Sequence, residues 1–204
     1  MRVLILNTSE RTGGAAVAAS RLHAALTHIG VEAEMLVRDQ TASPQVHTFP
    51  NQWRMKWAFL RERLGIFFHL HGRRKQLFAL DTAVTGGKVT ETAAYRRADV
   101  IHLHWINQGL LSLDGKTVVW TMHDIWPVTG ICHLALSCTN YRQSCGTCPY
   151  LPNGGAPRDF SHRIWKKKQR IYSAGTLTFV ACSRWLADEA RSASLTRGQT
   201  VGNI

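Results

Sequence analysis

Residues 2–37, RVLILNTSERTGGAAVAASRLHAALTHIGVEAEMLV, decide the fold class. Val3-Leu4-Ile5-Leu6 is a short continuous apolar run, Thr12-Gly13-Gly14-Ala15 follows, and Leu22, Ala25, Leu26 and Ile29 then recur at helical spacing. The order is strand, glycine turn, helix. Gly30 stops the helix and residues 31–37 read as a second strand, which makes residues 1–37 one βαβ unit with a parallel strand pair. Residues 100–105 (VIHLHW), 117–122 (TVVWTM) and 176–181 (TLTFVA) repeat the buried-strand pattern, the last followed by a helix-like stretch over 183–193. Such alternation predicts an α/β, Rossmann-like, doubly wound parallel sheet in one domain, with ligand groups at the carboxyl ends of strands. There is no internal repeat, low-complexity tract or clear inter-domain linker.

Composition agrees. At 204 residues and 45% hydrophobic the chain can bury one core, and seven tryptophans with only 19% charged residues exclude the signature of disorder. The apolar run after Arg2 is too short for a signal peptide, and no stretch approaches the ~20 apolar residues of a membrane span. The expectation is a cytoplasmic protein, where five cysteines point to metal or free thiols before disulfides. A formal charge of +12 favours anionic partners in general: nucleic acid, anionic lipid or phosphate-bearing ligands.

Part of that charge lies in residues 53–75. There Trp53, Trp57, Leu60, Leu64 and Phe67 recur at helical spacing while Arg54, Lys56, Arg61 and Arg63 face elsewhere. This is an amphipathic cationic helix, either packed on the domain by its apolar stripe or resting on an anionic membrane surface.

Three groups of residues carry candidate chemistry. Gly13-Gly14, between strand and helix, either make a plain turn or expose backbone N–H groups to a phosphate. His123 and Asp124 stand at the carboxyl end of a predicted strand, where a titratable side chain meets ligand; His102 and His104 share one face of the preceding strand, and at least one of them fits a hydrogen-bonded core role. Cys132, Cys138, Cys145 and Cys148, spaced C-x5-C-x6-C-x2-C within residues 130–152, suit a closed structural zinc site. Disulfides, free thiols or another metal are the alternatives, and His133 could replace one cysteine as ligand. Cys182, at a strand end, is expected to be a buried small residue.

Taken together, residues 98–107 (ADVIHLHWIN), 120–130 (WTMHDIWPVTG), the cysteine loop and 179–186 (FVACSRWL) resemble the N-terminal domain of retaining family-four glycosyltransferases, closest to the group of bacterial exopolysaccharide and colanic-acid-type clusters. The likeness runs over residues 2–203. It implies a two-Rossmann (GT-B) architecture with the active site between domains, this chain being the acceptor-side half. Gly13 and Gly14 would approach the donor diphosphate and His123, with Asp124 beside it, the reacting centre. His102, His104, Trp105, Asn107 and Ser183 would line the acceptor-side cleft. A sugar would pass from a nucleotide-sugar donor to a saccharide or lipid-linked acceptor with retention, without a catalytic metal, in polysaccharide biosynthesis. The donor-binding C-terminal domain has no counterpart here, and residues 201–204 resemble the crossing into it, so the 204 residues alone are expected to turn over little or not at all. A zinc-stabilised nucleic-acid-binding module and a non-catalytic membrane-surface scaffold are the readings from other classes.

Overall fold

A computed structural model describes residues 1–40, 46–49, 52–82, 89–106 and 116–204. Seven strands form one sheet: β1 (Arg2–Ser9), β2 (Glu32–Asp39), β3 (Val46–Thr48), β4 (Val100–Leu103), β5 (Thr117–Met122), β6 (Leu177–Ala181) and β7 (Thr200–Asn203). Every pairing is parallel and the order is β3-β2-β1-β4-β5-β6-β7. The chain therefore winds outward from β1 in one direction and from β4 in the other. The crevice where the winding reverses, outside the carboxyl ends of β1 and β4, is where such sheets bind ligands.

The strand signals reflect burial. Residues 3–8 of β1 are all buried, as a central parallel strand covered on both faces must be. Above the sheet, α1 (Gly14–His28) buries Ala16 and Ala19, the latter packed with Val3, Ile5, Met35 and Val37, where a small side chain lets helix and sheet approach closely. On the opposite face the larger core gathers Trp120, Trp126, Tyr172 and Phe179 with Ile101, Leu103 and Met122. Trp120 is its hub, with Trp126, Tyr172 and Phe179 at centroid separations of 6.1, 6.1 and 5.8 Å.

Four further helices complete the layers: α2 (Gln52–His69), α3 (Ala93–Arg97), α4 (Phe160–Ser173) and α5 (Arg184–Ser192). The last two start on polar caps, with Asp159 accepting from the N–H of His162 and Ser183 from that of Leu186. Two expectations are corrected. Cys182 is exposed, because it falls just past the end of β6 where the chain turns into α5. The Trp53, Trp57, Leu60 and Leu64 stripe faces outward, and α2 packs through its other side.

Candidate functional site at the carboxyl edge of the sheet

The ends of β1 and β4 are stitched together at the point of reversal. Asn7 accepts from the N–H of Trp105 (2.8 Å) through Oδ1 and donates through Nδ2 to the carbonyl of Ser9 (2.6 Å). Thr8 donates both its N–H (2.9 Å) and its hydroxyl (2.8 Å) to the carbonyl of Trp105. These bonds consume the polar groups of the strand ends. They leave a groove of about 560 Å³ bounded by the glycine turn, the start of α1, Arg38 and Asp39 at the end of β2, Trp105, His123 and Asp124. The two glycines differ. Gly13 caps α1 at φ 92°, a conformation that a side chain disfavours, whereas Gly14 has ordinary dihedrals and open space where a Cβ would stand.

His123 belongs to a stack of three imidazoles. His102 and His104 rings lie 4.8 Å apart, His104 and His123 rings 5.3 Å. Nδ1 of His104 is 3.0 Å from Nε2 of His123, and Nε2 of His102 is 2.9 Å from the hydroxyl of Thr121. Burial, with repulsion from the neighbouring rings, lowers His102 to about 4 and His104 to about 3; burial also lowers His123, against the pull of Asp124. All three rings are neutral at neutral pH. Since Nε2 of His104 is buried without a partner, the tautomer that avoids an orphan donor puts the His104 proton on Nδ1, donated to Nε2 of His123. His123 then carries its own proton on Nδ1.

Asp124 is held on all sides. Oδ1 accepts the N–H of Trp126 (2.8 Å); Oδ2 accepts from Nε1 of Trp105 (3.1 Å) and Nδ1 of His133 (2.8 Å). His133 also donates through Nε2 to Asp81 (2.8 Å). A neutral imidazole has one N–H, so two carboxylate acceptors require the imidazolium. Burial opposes that charge, but the bonds to Asp124 and Asp81 outweigh it and raise His133 to about 9. The same bonds lower Asp124 although burial alone would raise it. Asp81 continues the chain to Arg63, whose Nη1 donates to the carbonyls of Leu77 (2.8 Å) and Leu80 (3.1 Å). Beside it Glu62 accepts from the N–H (2.7 Å) and hydroxyl (2.5 Å) of Thr82. Asp124 is thus an anchor joined to α2 by buried charges, with little basicity to spare.

A second groove opens on the other side of the His123-Asp124 turn. It is lined by His133, Leu134, Leu136, Arg142, Ser183 and Trp185 among others, and has about 450 Å³. Of the residues expected at an acceptor-side cleft, Trp105 lines the first groove and Ser183 the second. His102 and His104 stand behind His123 and line neither, and Asn107 lies outside the described residues.

Cys132, Cys138, Cys145 and Cys148 line one small enclosed space with Gly130, Tyr141 and Tyr150. The N–H of Gly130 points at Sγ of Cys145 (3.1 Å), and Gly146 turns the C-x2-C at φ 147° where an added Cβ would lie 2.3 Å from the carbonyl of Pro157. Among the described residues no three His, Cys, Asp or Glu side chains already converge as metal ligands. Burial raises the thiols of Cys132 and Cys145 to about 12 and pushes that of Cys148 up as well.

Sequence reasoning missed Lys168. It sits among the closely spaced cations of residues 163–170, yet it is fully buried: Nζ donates to the carbonyls of Trp126 (2.6 Å) and Thr129 (3.0 Å) and lies 3.5 Å from the Trp126 ring centroid. It fastens the turn after Asp124. Only its helical register with Ile164, Trp165 and Tyr172 could have marked it. Asp81 was missed as well, having no local motif.

No protein-family model matches the chain. Among curated proteins it is 29% identical over 106 residues to a protein of Escherichia coli (strain K12) named as a colanic acid biosynthesis glycosyl transferase. That stretch is 46% of this chain and 26% of the relative, so the two share about a quarter of the relative's length. The chain is, at this coarse level, related to a sugar-transferring enzyme.

Proposed function

We propose that the chain is the acceptor-side, Rossmann-like half of a glycosyltransferase that takes a sugar from a nucleotide-sugar donor and acts in polysaccharide biosynthesis. One observation carries the reading: the glycine turn and the His123-Asp124 turn, 110 residues apart in sequence, bound a single open groove at the point where the sheet reverses. The N–H groups of the first turn of α1, with Arg38 at the rim, suit the donor diphosphate. His123 offers a neutral imidazole with a free N–H edge to the sugar beside it. Asp124, already saturated, fixes the turn and is assigned positioning rather than proton transfer.

In the reaction the bond between the anomeric carbon and the diphosphate oxygen breaks and a bond to the acceptor oxygen forms on the same face. The acceptor proton passes to the departing diphosphate, so no metal is required to balance the step. The protein's part is to hold both substrates in line and to stabilise charge on the leaving group. The second groove, across the shared turn, suits a saccharide or lipid-linked acceptor. A nucleic-acid module or a scaffold would have no use for this pair of grooves. We further assign the four thiols to a structural zinc, which would draw them together in their common cavity. Burial pushes Lys168 down to about 7, with Cys145 and Cys132 first among the groups that oppose it, and four metal-bound thiolates would hold it as the ammonium.

The test uses the full-length gene product, a panel of nucleotide-diphospho-sugars and saccharide or lipid-linked acceptors, following release of nucleoside diphosphate. His123→Ala should lower acceptor-dependent release by about 10²-fold or more. No release from any donor, or a His123→Ala enzyme as active as the parent, removes the assignment.

A further inference from the structure

Helix α2 is apolar on two opposite sides. Met55 and Ile66 are buried with Glu62 and Arg63, and the Arg63–Asp81 pair pins this side to the domain. On the other side Trp53, Trp57, Leu60, Leu64 and Phe68 are 72, 61, 46, 48 and 72% exposed. At 100° per residue these five fall within an arc of about 80°, roughly opposite the buried stripe. An ordinary surface helix shows water a polar face; this one shows it two tryptophans, two leucines and a phenylalanine.

The borders of the stripe say what covers it. Arg54 and Arg61 run along one edge and Lys56 along the other, all exposed, and Arg73, Arg74 and Lys75 follow the helix, exposed too. Between residues 52 and 75 the one acidic residue is Glu62, which is buried. A second copy docking stripe to stripe would bring cation against cation with no exposed acid to relieve them. An anionic surface meets both demands, taking the indole and leucine side chains below its headgroups and the flanking cations among them.

We infer that α2 is an in-plane membrane-binding helix that seats the domain on an anionic lipid surface through Trp53, Trp57, Leu60, Leu64 and Phe68. It lies along the interface and does not cross it: among the described residues no helix is long and apolar enough to span a bilayer. The inference rests on exposure and charge and stands independently of sugar transfer, although a lipid-linked acceptor would give the docking a use.

The experiment is flotation of the intact protein with vesicles of phosphatidylcholine alone or with about one third phosphatidylglycerol, beside a Leu60→Glu/Leu64→Glu variant. Both leucines are outward, so the variant should keep the parent's melting temperature; an Arg54→Gln/Lys56→Gln/Arg61→Gln variant probes the charge separately. The expected result is at least tenfold more protein floating with anionic than with neutral vesicles. That binding should fall at least tenfold in the leucine variant and weaken in the cation variant and in high salt. Failure of the parent to float with anionic vesicles overturns the inference. So does undiminished binding by a folded leucine variant, or a dimer in solution that the leucine substitutions dissociate.

Discussion

Acidification should unfold this protein through its imidazole stack, and His104→Gln should remove about half of the effect. His102 and His104 are held at about 4 and about 3, against an ordinary value of 6.5. Their depressed values mean that the native state excludes protons which the unfolded chain binds. Stability is therefore intact above pH ~6.5 and falls as the pH drops toward the folded-state values. With 1.36 kcal/mol per unit, lowering the pH from 7 to 5 costs about 2 kcal/mol for each ring and roughly 4 kcal/mol for the pair. His133, which gains stability on protonation, is nearly fully charged by pH 7 and offsets less than about 1 kcal/mol of this. Urea unfolding followed by tryptophan fluorescence at both pH values measures the loss. Glutamine cannot titrate but can still hydrogen-bond to His123, so His104→Gln should shrink the loss by about 2 kcal/mol whatever its own effect at pH 7. Because each protein is compared with itself, other titrations cancel. A variant losing as much as the parent would refute the idea that His104 is kept neutral by its surroundings.

Gly13→Ala should lower stability by roughly 1 kcal/mol, since φ 92° disfavours a Cβ, with thermal melts as the check. Gly14→Ala, free of steric conflict in the protein itself, should leave the melting temperature unchanged or slightly higher while raising KM for the donor about tenfold; an unaffected KM would mark a plain turn. Asp81→Ala strips a counter-charge from buried Arg63 and His133 and should cost about 3–5 kcal/mol in chemical unfolding, whereas Asp188→Ala, at an exposed pair with Arg191, should be silent. Protein purified without chelator should carry about one zinc per chain by elemental analysis, and Cys145→Ser/Cys148→Ser should abolish it. Four freely titrating thiols with no zinc would end that assignment.

The sheet was legible wherever burial wrote a continuous apolar run, as in β1, β5 and β6, and where Gly13 and Gly30 punctuated α1. The strand β3 has three residues and no such run. Helix α4 was hidden because the cations Lys166, Lys167, Lys168 and Arg170 break up the apolar register of Ile164, Trp165 and Tyr172, although Lys168 is interior. Periodicity located α2 but not its inward side, since apolar residues repeat on both faces and only the buried Glu62–Arg63 pair shows which packs. His123, Asp124 and the glycine turn were visible from their places beside strands. The partners that set their chemistry were not: His133 reaches Asp81 across 52 residues, a closeness that only the folded chain creates.

His123 and Asp124 form a party wall between two chambers, each facing a different substrate in the proposed reaction. Whatever fills one chamber presses on the same ring and carboxylate that the other must use. By linkage, any change in affinity that the first occupant imposes on the second is returned in equal measure, so the two affinities are coupled through a single turn of chain.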